Sequence, residues 1–147
     1  MINFNIEAVK RNFFDRDKVQ KAADRATRKN HSKFGAFVRT RARTSIRKRK
    51  GTSMPGRPPY SHVGLVRDKI FFAWDESIKG VVIGPVLLNK PNPRALELLE
   101  HGGVGVIRNR FTGQIRSATW RARPFMLPAF REELKRIPAI WRNSIKG

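Results

Sequence analysis

The chain has 147 residues, 32 Lys and Arg against 11 Asp and Glu, a formal charge of +21 and no cysteine. That length allows one domain with one modest core. The missing thiols exclude a disulfide framework, a thiolate zinc site and a cysteine nucleophile, and no apolar run approaches membrane-spanning length.

Residues 1–14 lack the continuous apolar core of a secretion signal and read as an N-terminal arm of a soluble chain. From Asp15 to Lys50 the pattern is helical. Val19, Ala22, Ala23, Ala26, Phe34, Phe37, Val38, Ala42 and Ile46 recur at three- and four-residue steps and predict one long apolar stripe. Asp15 and Asp17 suit the helix N-terminus and the basic residues suit its far end. Gly35 is a weak point in that helix.

Residues 51–66 form a Pro/Gly-rich loop, with Pro55, Pro58 and Pro59 too close together for a helix or an inner strand. "DKIFFAW" (68–74) and "GVVIGPV" (80–86), separated by a polar turn, predict a hairpin. A short helix at 94–101 follows, with Pro93 suited to its first turn and Gly102 to a left-handed cap. "VGVIRNR" and "QIRSATWRA" predict a second hairpin. The last helix spans 123–146, and Pro138 should kink or divide it. The expected architecture is one α+β domain, its two main helices packed on a small, mainly antiparallel four-stranded sheet.

Charge is the strongest local signal. Self-repulsion at this charge makes a polyanion or an acidic protein surface the expected neighbour. Between Lys29 and Lys50 there are nine basic residues and no acidic one. Arg39, Arg41, Arg43, Arg47, Lys48, Arg49 and Lys50 are the candidate contacts to DNA phosphates or to an acidic partner. They fall on several faces of the predicted helix, which favours contact without base specificity.

Catalytic chemistry finds no complete set. "ELLEH" (97–101) offers Glu97, Glu100 and His101 but not the second histidine of a zincin pattern. Asp75 and Glu76 sit in a predicted turn, and His62 has no nucleophile beside it. The expectation is a non-enzyme without metal or cofactor.

The order of "RTSIR", "PGRPPYSHVGLVRDKI", "VVIGP", "LLEHGG" and "ARPFMLPAF" resembles the neck and tail-completion proteins of tailed double-stranded DNA bacteriophages, also described as head–tail joining or minor tail proteins. The similarity covers most of residues 40–135. Gly64 and Leu65 match a Gly-Leu segment that opens the first strand. Glu100, His101 and Gly102 match a Glu-X-Gly element, and Arg123, Pro124, Phe125, Pro128 and Ala129 match the lead-in to the last helix. The resemblance implies an α+β subunit without enzymatic activity. It also implies a six- or twelve-fold ring at the neck of the virion, assembled in the host bacterial cytoplasm. The implied partners are portal or adaptor proteins on one side, tail terminator or tail-tube proteins on the other, and the genomic DNA in the channel. Pro55, Arg57, Pro58, Pro59, Tyr60, Glu100, Arg123, Phe125 and Phe130 are the candidate interface residues. A nonspecific basic nucleic-acid-binding module is the alternative reading of the same charge.

Overall fold

The computed structural model describes residues 16–86, 94–109, 111–142 and 144. The expected arm at 1–14, Asp15 and Pro93 lie outside them. Helix α1 (Arg16–Ser45) runs for 30 residues, about 45 Å at the usual rise of an α-helix. Its buried face is a strict four-residue row, Ala26, Asn30, Phe34, Val38 and Ala42, with Gly35 beside it. Further toward the N-terminus the expected stripe is only half covered: Ala22 and Ala23 are half-buried, and Val19 is exposed.

Gly35 marks the closest approach of α1 to the first hairpin. A Cβ there would stand 2.7 Å from Cγ1 of Val81 and 3.0 Å from Cδ2 of Phe72. The residue that weakens the helix locally is the one that lets a sheet lie against it.

α1 stops at Ser45, five residues before the expected end at Lys50. In its last turn the hydroxyls of Thr44 and Ser45 donate to the carbonyls of Arg41 (3.0 Å) and Ala42 (2.7 Å). Continuing the helix would stack Arg47 on Arg43, a like-charge pair one turn apart. Ile46 still reaches the core, so its apolar signal was real while its helical geometry was not.

After the loop comes a one-turn helix, α2 (Leu65–Asp68), preceded by Gly64 at φ 83°. Gly64 and Leu65 therefore open this turn and not the first strand. Strands β1 (Ile70–Asp75) and β2 (Gly80–Pro85) pair antiparallel, with Phe72 opposite Ile83 and Trp74 opposite Val81. Helix α3 (Ala95–His101) ends at Gly102, whose φ of 74° favours glycine. Strands β3 (Gly103–Arg108) and β4 (Ile115–Trp120) form the second hairpin, with Gly105 opposite Ala118. The predicted terminal helix is divided into α4 (Met126–Leu134) and α5 (Ile137–Trp141), with Pro138 in the first turn of α5, where its missing N–H costs nothing.

The fold is α+β, but its four strands make two separate two-stranded sheets and not one sheet of four. α1 packs on β1–β2 and on α4 and α5, whereas β3–β4 packs on α3. The reason lies in the strand faces. Ile70, Phe72 and Trp74 turn toward α1, while Gly105 of β3 rests on Leu98 of α3. The main core joins Phe34, Val38, Ala42, Ile46, Ile70, Phe125 and Ala129.

Candidate functional site

The motifs at 98–103 and 122–130 meet at one carboxylate. Oε2 of Glu100 accepts hydrogen bonds from the backbone N–H groups of Phe125 (3.0 Å) and Met126 (3.1 Å), and Oε1 accepts from that of Leu127 (2.7 Å). These are donors that the first turn of α4 leaves unsatisfied, and negative charge at that end is favoured by the helix dipole. "RPFMLPAF" supplies no Ser, Thr, Asp or Asn of its own at the helix start. Glu100, 25 residues earlier, takes that role.

The junction extends into the proline-rich loop. Arg123 N–H donates to the Leu99 carbonyl (2.7 Å), and its Nε donates to the Ser53 carbonyl (3.0 Å). Gly56 N–H reaches the Ala122 carbonyl at 2.8 Å, while Ser61 N–H reaches that of Arg47 at 3.1 Å. Residues 51–64 are thereby tied to the end of α1 and to the lead-in of α4.

The geometry divides the expected interface residues between the subunit's own core and its surface. Phe125 is 1 % exposed and sits in the subunit's own core, so it has no surface left to offer a neighbour. Pro59 is buried, and Pro58 and Tyr60 are half-buried. Glu100 and Arg123 are held by the internal contacts above. Phe130 is partly exposed but lies edge-on to Phe34, ring centroids 5.6 Å apart. Pro55 and Arg57 are exposed.

The basic residues divide into two groups. Arg39 donates through Nε to the Ile70 carbonyl (2.8 Å) and lies over the Phe71 ring. Arg41 pairs with the buried carboxylate of Glu133, which Arg136 also approaches at 3.3 Å, and Arg43 pairs with Asp68 at 3.3 Å. Beyond the helix, Arg49 lies over the Tyr60 ring. Arg47, Lys48 and Lys50 are exposed, with no acidic partner among the described residues. Within the 39–50 run, exposed cationic charge thus gathers at 47–50, where the helix has ended.

The other candidates have local roles. Glu97 pairs with Arg94 at 3.4 Å, and His62 accepts the Gly51 N–H at 3.0 Å. Oδ1 of Asp75 accepts both the N–H (2.8 Å) and the hydroxyl (2.6 Å) of Ser77, which hold its carboxyl below the ordinary value of 3.8. No group of three or more metal-ligating side chains occurs among the described residues.

Two surfaces were not foreseen from the sequence. Each hairpin has an outer face of exposed side chains: Phe71, Ala73 and Val82 on β1–β2, where the Arg39 guanidinium lies over the Phe71 ring, and Val104, Val106 and Ile115 on β3–β4. A signal for the second was present in "GVGVIR". Alternating glycines mark the side on which another element approaches closely, so the valines must face away. No family model, curated protein or solved structure matches this chain.

Proposed function

We propose that this chain is a neck or tail-completion subunit of a tailed double-stranded DNA phage, and that it forms a ring joining the portal or adaptor to the tail around the DNA channel. The observation that carries the reading is the junction at Glu100. The resemblance rests on short motifs far apart in sequence, and two of them are physically one device, a carboxylate from "LLEHGG" capping the helix that "ARPFMLPAF" begins. A chance collection of motifs has no reason to meet through three hydrogen bonds. The exposed apolar hairpin faces support the reading, because a subunit that docks on neighbours needs such surface.

The test is removal of the gene from a phage genome that carries it, followed by electron microscopy of the lysate. The reading expects heads and tails that accumulate unjoined. Normal tailed particles at normal titre would overturn it.

A second reading, nonspecific nucleic-acid binding by the free protein, is favoured by the exposed cations at Arg47, Lys48 and Lys50. It expects tight duplex binding by the isolated chain at physiological salt, with log Kd rising linearly with log salt. A neck subunit needs only weak contact of this kind.

A further inference from the structure

The two exposed sheet faces are complementary to each other. On β3–β4, the pairings Val104↔Thr119, Val106↔Ser117 and Arg108↔Ile115 place Val104, Val106 and Ile115 on one face, with Arg108 at its end. The opposite face is used internally, since a Cβ on Gly105 would lie 2.4 Å from Cδ1 of Leu98 and 2.9 Å from Nε1 of Trp120. On β1–β2, the pairings Phe71↔Gly84, Ala73↔Val82 and Asp75↔Gly80 place Phe71, Ala73 and Val82 outward, with Asp75 at the end. Gly84 leaves open space on this face, with nothing within 4 Å of where a Cβ would stand.

Charge distinguishes the two faces within a chain of +21. From His101 to Arg131 there is no acidic residue and there are six arginines. The stretch Ile70–Val86 instead holds Asp75 and Glu76 against Lys79. The β3–β4 strip therefore ends at Arg108 and the β1–β2 strip at Asp75, beside which Glu76 pairs with Arg28 at 3.3 Å. Two copies of the β3–β4 face would bring Arg108 to the same contact twice, a cost that opposes a two-fold pair there. The unlike faces pair apolar on apolar and Arg108 toward Asp75.

We infer that the β3–β4 face of one copy docks on the β1–β2 face of the next, sheet against sheet. This is a head-to-tail contact, which closes into a ring when the rotation between copies allows it. The inference rests on the ring reading above and names the surfaces that would make the ring. Two six-residue strands present a face on the order of 200 Å² at ordinary strand spacings. A stable complex uses roughly 800 Å² per partner. One contact alone is therefore weak, and closure, which gives every copy two contacts, is what makes the assembly persist.

The native chain has no cysteine, so single cysteines report without background. Val104→Cys and Val82→Cys both alter exposed side chains and leave the core untouched. The experiment treats each variant alone, their mixture, and the double variant with a flexible bis-maleimide at high protein concentration. The expected result is a cross-linked dimer in the mixture, little product from either variant alone, and a ladder from the double variant that ends at one closed species. Efficient self-linking of Val104→Cys alone would show a two-fold contact and overturn the inference. Closed oligomers in native mass spectrometry without the 104–82 link would overturn it while leaving the ring reading intact. A chain that stays monomeric and unlinked also overturns it, and the ring reading is then decided separately by binding to tailless heads. Arg108→Glu should reduce cross-linking several-fold, and Lys21→Glu, at an exposed position of α1 outside both faces, should not.

Discussion

Phe125 and Glu100 show how much one side chain can hold in a small basic subunit. Phe125 is enclosed by α1, β1 and α4, and its truncation leaves a cavity that the flanking prolines keep the backbone from closing. Phe125→Ala should cost about 3–5 kcal/mol, read by chemical denaturation of the isolated subunit. A cost under about 1 kcal/mol would contradict its place in the core. Glu100→Ala removes the acceptor of three N–H groups and should cost about 1–2 kcal/mol. Glu100→Gln keeps an oxygen acceptor and should cost less. Equal costs for the two would mean that the hydrogen bonds contribute nothing beyond the charge. At Asp75 the two bonds from Ser77 hold the ionised form down to a lower pH than in an unfolded chain. The stabilisation it gives is full above the ordinary carboxylate value of 3.8 and is lost as pH falls through the lower folded value. The Ser77 amide signal in NMR should titrate with a midpoint below 3.8, and a midpoint at or above that would contradict the turn geometry.

Between elements, Gly35 decides how α1 meets the first hairpin. Alanine there would improve helix propensity by about 1 kcal/mol. Its Cβ would also press on Val81 and Phe72, and overpacking of this kind costs about 1–3 kcal/mol. Val81 is β-branched and stiff, so the clash should win and Gly35→Ala should lower the melting temperature. An increase would mean that the hairpin moves aside freely. The same elements show what was readable from the chain. The helical stripe and both hairpins followed from apolar periodicity, and the break before Pro138 followed from the missing N–H of proline. The end of α1 did not, because Ile46 extends the apolar period although the helix stops at Ser45. The division into two sheets was hidden as well. Strand patterns identify strands, but which hairpins share an edge depends on where α1 and α3 approach. The candidate site was legible as motifs and illegible as roles. Nothing local to "LLEHGG" says that its second carboxylate serves a helix about 25 residues later, and nothing local to "RPF" separates a core phenylalanine from an interface one.

Over the whole molecule, charge sets the terms. At +21 the folded subunit repels itself, and added salt screens that repulsion within a Debye length of about 8 Å at physiological ionic strength. Melting temperature should therefore rise from low to moderate salt, and a fall would mean that attractive pairs such as Arg41 with Glu133 outweigh the net field. Replacing Arg47, Lys48 and Lys50 with glutamine should weaken duplex DNA binding alike for unrelated sequences. It should reduce the salt slope by about 0.9 for each phosphate that the variant no longer neutralises. An unchanged slope would turn attention to acidic protein as the partner of this segment. The role at the neck is tested most directly by reconstitution. Purified protein is added to DNA-filled heads and finished tails from a phage lacking the gene, and infectious particles are counted. Joining should be restored by the native chain and abolished by Arg108→Glu, while Lys21→Glu still restores it. Heads and tails that remain separate with the native chain, or that join equally well without it, would contradict a neck function.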